Sequence, residues 1–557
     1  MSKVKIIPLG GVRENGKNAY IIEVDDNIFV LDCGLKYPES ELLGIDVVIP
    51  EFSYLVENAS RVVGVFLTHG HADAIGGLSY LLADVEVPVF GSELTIELAK
   101  LTVSDYSETK KFNDFHVVNE ETEIDFGENI TISFFKTTHT IPNTLGIVVE
   151  TAKGSIVYTG DFKFDQAIDP IYQTDFSRLA QIGSKGVLAL LSDSANADNS
   201  VQIASEHEVS EKIDETIRYW DGRIIVASVA SNLMRIQQVL NAAHKFGRKV
   251  LLTGQDLELI MQTAMKIGKL KLPGKKLLIS DDHLAKIPDK ELLILETGRM
   301  GEPIKALQKM ANGDHKNIRI KKGDLVFITT TPSIAMETFV AKTEDLIYRA
   351  GGEVKMISTN MRVSGHANPC DLQLMLNLLK PKHFLPVQGE YRQLAAHAKL
   401  AYELGINPQN VHLTNKGDVL EYHQGRLISG GEIPADNVMI DGIGVGDIGS
   451  VVLNDRRILS EDGVLLAVAT VSRRDKVIVS EPQITSRGFV YVKSSHDILK
   501  KSRNIVTKVL NDNLALPEFE WNKVKKEIRD SLARYLFEQT KRRPIILSII
   551  MEYSSKN

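Results

Sequence analysis

Two histidines and an aspartate fall close together in Thr68-His69-Gly70-His71-Ala72-Asp73-Ala74-Ile75-Gly76-Gly77. Imidazole nitrogen and carboxylate oxygen are donors that zinc and manganese accept, and a tight loop lets all three converge on one cation. The bland alternative, a loop with two solvated histidines, sits poorly with the apolar run before it and the glycine pair after it. Further candidate ligands recur at the ends of apolar runs: His139 after Phe134-Phe135-Lys136-Thr137-Thr138, Asp161 after Val157-Tyr158-Thr159-Gly160, and His366 beyond Glu353-Val354-Lys355-Met356-Ile357. Taken singly, each has an ordinary explanation, an aspartate capping a turn or a histidine ending a strand. Taken together, they are ligand types that one sheet edge can gather. Gly160, lacking a Cβ, permits close backbone approach to such a site. Ser364-Gly365-His366 adds a hydroxyl, an unobstructed backbone N–H and an imidazole, a set suited to a phosphate. Ala230-Ser231-Asn232 ends one apolar run and opens a helical one, which aims N–H groups toward a second phosphate. A plain helix N-cap explains Ser231 and Asn232 nearly as well.

These residues meet only if strands end along a common edge. Val62–Leu67 reads as a buried strand, Ile130–Phe135 alternates as a half-buried one, and Ser155–Tyr158 and Val187–Leu191 follow. At Ser205 the register changes: Ser205-Glu206-His207-Glu208 opens like a capped helix that runs on toward Trp220. Strands such as Arg223–Ser228 then alternate with helices such as Met234–Phe246, the pattern of a parallel α/β domain. A break sits near Gly430-Gly431, with Gly442, Gly444, Gly446 and Gly449 behind it. Beyond it, Ser502–Tyr535 has helical spacing and Pro544–Met551 reads as a buried final strand.

At 557 residues, and roughly 150 per domain, the chain holds about three or four domains. A hydrophobic share of 43% with 25% charged residues excludes disordered, collagen-like and coiled-coil classes. No apolar run approaches the ~20 residues of a membrane span, and the first residues lack the apolar core of a signal peptide. Cys33 and Cys370 give no disulfide framework, so a reducing cytoplasm is expected. Lys and Arg number 65 against 72 Asp and Glu, a net charge of −7. That balance is not a nucleic-acid binder's, so any such role rests on a local groove.

His-x-His-x-Asp after a strand, a distant His139 and then Thr159-Gly160-Asp161 resemble the metallo-β-lactamase superfamily. Ser364-Gly365-His366 and the insertion from about residue 206 resemble its β-CASP nucleic-acid-processing branch. Leu9-Gly10-Gly11-Val12-Arg13-Glu14-Asn15-Gly16-Lys17-Asn18, Tyr158–Phe164, Leu191–Asn196 and Gly389-Glu390-Tyr391-Arg392 are similar to bacterial ribonuclease J, over essentially the whole chain. The resemblance implies an α/β fold. A metallo-β-lactamase αββα sandwich in two parts, 1–205 and 346–425, is interrupted by an α/β β-CASP domain over 206–345. A linker over 426–449 then leads to a small α+β C-terminal domain, 450–557. It implies a metal-dependent ribonuclease of rRNA processing and mRNA decay, 5′→3′ and internal in its cutting, preferring a 5′ monophosphate. By the family's pattern His69, His71 and His139 hold one ion with Asp161 bridging, and Asp73, Asp161 and positions 74 and 388 hold a second. Asp73 and His366 are the expected catalytic residues. Arg362, Val363, Ser364, Gly365 and His366 are expected to grip RNA phosphate, with Ser231 and Asn232, while Asp193 is expected to orient a histidine ligand by a hydrogen bond.

Two positions break that pattern. The family's His-x-His-x-Asp-His ends here in Ala74, and its Pro-x-His-Gly-Glu-Tyr-Arg reads Pro386-Val387-Gln388-Gly389-Glu390-Tyr391-Arg392. Alanine offers no ligand and a glutamine carbonyl only a weak neutral one, and both fall on the second ion. Arg362 stands where the family usually has histidine, and arginine still grips phosphate. Two losses aimed at one ion look like the second, degenerate paralogue that some Gram-positive bacteria carry beside a complete one. The expectation is therefore at most one well-bound ion, Zn or Mn, and weak hydrolysis, because two-ion clamping is lost. The expected partners are RNA, a complete paralogue, and further copies of the chain through the C-terminal domain, with no membrane. The alternative is a catalytically silent RNA-binding subunit that modulates the active paralogue. A small-molecule metallo-hydrolase fits less well, since it needs neither the insertion nor Ser-Gly-His.

Overall fold

Runs of β-branched and aromatic residues too short for helices make the first 200 residues a strand-rich region, and two sheets result. The computed structural model describes residues 3–553 apart from 39–41, 128, 200, 202, 299–301, 332–335, 358–360, 443, 447 and 490–495. One unit gathers Met1–Tyr37 with Val48–Val438, and the other Pro38–Val47 with Met439–Asn557.

In the first unit an eight-stranded sheet runs in the order Arg426–Glu432, Asp418–His423, Val4–Pro8, Tyr20–Val24, Asn27–Leu31, Val62–Phe66, Val89–Gly91, Phe115–Val117. A six-stranded sheet runs His383–Val387, Val187–Asp193, Gly154–Tyr158, Leu145–Thr151, Thr131–Lys136, Glu123–Asp125. Tyr20, Phe29 and Phe66 of the first sheet share one buried core with Phe134, Ile147, Tyr158 and Leu191 of the second. Each such side chain, fully buried, contributes roughly 1.5–3 kcal/mol. The other face of the six-stranded sheet, with Phe135, Val148 and Val157, is covered by Leu179, Leu372, Met375 and Leu379 of the helices Phe176–Lys185 and Pro369–Leu379. The strand Thr131–Lys136 is thus buried on both faces, not half-buried as its alternation suggests, and even Ser133 is buried. A helical layer over the sheet is invisible to a period-two pattern.

Ser205 closes a full capping box with Glu208 and starts the helix Glu206–Tyr219. A parallel sheet follows in the order Leu278–Ile279, Lys249–Thr253, Leu292–Gly298, Ile224–Val229, Leu325–Ile328, Glu353–Met356, with helices such as Leu233–Lys245 between its strands. The start of this insertion is tied down by ions: Glu206 takes Lys163 at 2.8 Å and the fully buried Arg235 at 3.2 Å. The chain then returns, and His383–Val387 pairs parallel to Val187–Asp193. Residues 426–432, expected to open a linker, instead form the edge strand Arg426–Glu432, paired antiparallel to Asp418–His423 with a register shift. The Gly430-Gly431 pair sits inside that irregular edge strand, where glycine suits a bulge as well as a break.

In the second unit Val477–Arg487, Val464–Ser472 and Ile545–Glu552 form a three-stranded sheet. The helical spacing over Ser502–Tyr535 resolves into His496–Leu514 and Trp521–Thr540, whose Val506, Leu510, Ile528 and Leu532 join Leu465, Ile546 and Ile550 in a core of their own. The final strand is buried on that face only: Leu547, Ile549 and Met551 are exposed. Among the described residues, no helix is long and apolar enough to cross a membrane.

Candidate metal centre and phosphate site

Strand ends deliver the candidate ligands. His69 follows Val62–Phe66, His71 precedes the short helix Ala72–Ile75, His139 follows Thr131–Lys136, and Asp161 follows Gly154–Tyr158. Ligand atoms of His69, His71 and His139 lie within 4.8 Å of one another, as do those of His69, Asp73 and Asp161. The hydrogen bonds on the far side of each ring decide which nitrogen faces inward. Asp32 is fully buried and accepts from the Thr68 N–H at 2.8 Å, the Thr68 hydroxyl at 2.8 Å and the Tyr158 hydroxyl at 2.8 Å. With its proton on Asp32, Thr68 Oγ1 accepts from His69 Nδ1 at 2.9 Å. His139 Nδ1 donates to the Gly365 carbonyl at 2.8 Å, and His71 Nε2 to the Ser231 carbonyl at 3.2 Å. The remaining lone pairs, on His69 Nε2, His71 Nδ1 and His139 Nε2, share one space, and the last two stand only 3.1 Å apart. His69 Nε2, Asp73 Oδ1 and Asp161 Oδ1 are buried without a hydrogen-bond partner. Facing lone pairs and orphaned buried acceptors are costly unless a cation lies among them. Burial also pushes the pKa of His69, His71 and His139 down, which keeps them in the neutral form a metal binds. These residues fit one divalent ion.

The second ion's place is built differently. Ala74 is fully buried and brings no donor. Gln388 lies against the carboxylates, but with its nitrogen: Nε2 donates to Asp73 Oδ2 at 3.2 Å and to Asp161 Oδ2 at 3.3 Å. Its carbonyl Oε1 is turned away and accepts from the Gly16 N–H at 2.9 Å. The weak carbonyl ligand expected at 388 is therefore not offered. Burial, then the neighbouring Asp73, raises the pKa of Asp161 well above the usual carboxylate range.

On the other side of Asp161, His366 Nδ1 donates to Asp193 Oδ2 at 2.8 Å, so Asp193 orients this histidine. Burial opposes the charged form, yet Asp193 and Asp161 together hold the His366 pKa up at about 10. Asn196 Nδ2 donates to Ser364 Oγ at 2.8 Å and to the His366 carbonyl at 3.1 Å, which fixes the Ser364–His366 turn. A Cβ on Gly365 would lie 2.8 Å from His139 Cε1, so glycine here admits the imidazole as much as it frees an N–H. Arg362 is anchored through its carbonyl, which accepts from the Ala204 N–H, and Val363 donates its N–H to Thr331 Oγ1 at 3.2 Å. Ser231 and Asn232 serve locally: Asn232 caps the helix Leu233–Lys245 through the Arg235 N–H, and the Ser231 carbonyl holds His71. The Met234 N–H at that helix end already donates to the Thr140 carbonyl.

Comparison with known proteins gives this geometry its context. Residues 12–204 match the family described as "Metallo-beta-lactamase superfamily", and 221–345 match "Ribonuclease J, beta-CASP domain". Residues 351–412 match "Zn-dependent metallo-hydrolase RNA specificity domain", and 451–553 match "Ribonuclease J C-terminal domain". The chain is 57% identical over 552 residues to "Ribonuclease J 2" of Streptococcus pyogenes, covering 99% of this chain and 100% of that protein. It is 45% identical over 549 residues to "Ribonuclease J2" of Bacillus subtilis, covering 99% and 98%. The chain belongs to the ribonuclease J family. A solved structure of a protein of unknown function from Enterococcus faecalis covers 75% of this chain and all of that one with a TM-score of 0.55, and at 16% identity it speaks to the fold alone.

Within this ribonuclease J chain, four residues have supporting roles that the sequence alone does not reveal. Asp32 and Thr68 fix the tautomer of His69, Asn196 fixes the Ser364–His366 turn, and Gly16 fixes the orientation of Gln388. The available signal is slight: Asp32 directly follows the apolar run Ile28–Leu31, where a lone acid is out of place.

Proposed function

We propose that this chain is a metal-dependent ribonuclease with a single ion site, weak on its own and acting beside a complete paralogue. The observation that carries the reading is the Gln388 N–H2 between Asp73 and Asp161, opposite a buried Ala74, where a second ion needs ligands. His69, His71, His139 and Asp161 would hold the one ion, which when bound activates water and polarises a phosphoryl oxygen. His366, with Nδ1 on Asp193, keeps Nε2 free for a phosphate or leaving oxygen, and Ser364 beside it contributes a hydroxyl. Arg362 supplies positive charge next to them. Lacking one electrostatic stabiliser typically costs ~10²–10³ in rate, which is the sense in which the activity is weak. The silent RNA-binding subunit remains a second reading, because the Asp193, His366, Ser364 and Asn196 network is complete without any ion.

Single-turnover decay of a 5′-monophosphorylated RNA with manganese separates the two. The first reading expects slow decay that His69→Ala abolishes and that rises when a complete paralogue is added. Residual decay unchanged by His69→Ala, with RNA still bound, supports the silent subunit instead.

A further inference from the structure

We propose that the side-chain amide of Gln388 is the resident counter-group of Asp73 and Asp161, a neutral donor built into the place of a second cation. The inference rests on the one-ion reading above and deepens it, since the place is filled by the chain itself and not merely short of ligands. An amide has two N–H groups, and here one faces each carboxylate, at 3.2 and 3.3 Å. The orientation is not free. Flipping the amide would set its oxygen against two carboxylates and its N–H2 against the Gly16 N–H, so both ends would repel. The backbone is committed as well: Gln388 has φ 53°, in the left-handed region, and its N–H donates to the Gly11 carbonyl at 2.5 Å. The residue is 3% exposed, so water does not compete for these bonds.

Asp161 is buried and faces Asp73, an arrangement that repels unless something positive or hydrogen-donating lies between. The amide supplies that donor without a cation. It leaves Asp73 Oδ1 unpartnered 3.7 Å from His69 Nε2, and Asp161 Oδ2, which accepts from the amide, stands 3.8 Å from the same nitrogen. Gln388 is accordingly a positioning residue: it holds Asp161 for the one ion, satisfies Asp73 and keeps out a second ion.

The test pairs thermal melting in chelator and in manganese with calorimetric manganese stoichiometry, on the full chain. Gln388→Met keeps the length and removes both N–H groups. It is expected to melt several degrees below the parent in chelator and to recover that loss in manganese, a recovery the parent lacks. Gln388→Glu puts a third carboxylate beside the pair and is expected to raise the stoichiometry from one ion to two. A purely structural role for the side chain predicts no manganese-dependent recovery. If Gln388→Met melts like the parent in chelator, or Gln388→Glu still takes one ion, the inference is overturned while the one-ion reading stands. If the parent itself takes two ions, the one-ion reading falls, and the inference with it. Should Gln388→Met fail to fold, the stoichiometry of Gln388→Glu decides alone.

Discussion

Asp32 never reaches the ion's space, yet it sets which nitrogen of His69 does. Its pKa stands at about 7, raised by burial and held from going higher by the Thr68 and Tyr158 hydrogen bonds. Losing such a supporting partner typically costs ~10–100-fold in metal affinity, so Asp32→Ala should weaken manganese by that factor in a chelator-competition titration. A variant that binds manganese as the parent does would show that Thr68 alone suffices. Restoring the missing ligands is the complementary change. Ala74→His with Gln388→His should raise RNA hydrolysis by ~10²-fold, the contribution of one electrostatic stabiliser, whereas each change alone should do little. Gln388→His alone also discards both amide bonds to the carboxylates. Single-turnover decay of all four proteins measures the non-additivity, and His69→Ala in the double variant excludes a contaminating nuclease. The start of the candidate metal centre is legible because His69, His71 and Asp73 are neighbours in sequence. Asp32 and Thr68 are not, because a partner 36 residues away is brought near only by the pairing of Asn27–Leu31 with Val62–Phe66. The direction of the Gln388 amide was illegible for a similar reason, being decided by a backbone N–H 372 residues earlier.

Between elements, the buried ion cluster at Glu206 ties the first helix of the insertion to the loop after Gly154–Tyr158 and to the helix Leu233–Lys245. Burial alone would raise the Glu206 pKa, but Arg235 and Lys163 hold it at about 2 against an ordinary 4.5. A folded value below the unfolded one means that the stabilisation is fully present above pH 4.5 and is lost as pH falls toward 2. Glu206→Gln leaves Arg235 buried without its counter-charge and Lys163 with only Asp165 at 3.8 Å, so it should cost ~3 kcal/mol near neutrality. Urea unfolding at pH 7 and near pH 3 should show that difference shrinking on the acid side, and a constant difference would deny the ion pairing its role. The sequence carried most elements but not the layers over them. The Ser205 capping box is local and so legible in the sequence, whereas the burial of Phe135 under Phe176–Lys185 and Pro369–Leu379 depends on helices farther along the chain. Likewise Ile545–Glu552 carries apolar residues on both faces, and only packing shows that Leu547, Ile549 and Met551 stay exposed while Ile546 and Ile550 are buried.

For the whole molecule, a net charge of −7 gives no bulk attraction for RNA, so the proposed RNA contact rests on local groups, with His366 and Arg362 as its candidates. Affinity for a single-stranded RNA should still fall linearly with the logarithm of salt, by a slope of about 0.7 for each phosphate neutralised. Arg362→Ala should lower that slope by about 0.7 while leaving manganese binding intact, and an unchanged slope would remove Arg362 from the RNA contact. The central claim is that the chain carries one ion, held by His69, His71, His139 and Asp161, while Gln388 fills the neighbouring place. Anomalous scattering from crystals soaked in manganese tests it most directly. One occupied peak among the three imidazoles is the predicted result, and two fully occupied peaks about 3.5–4 Å apart would contradict it.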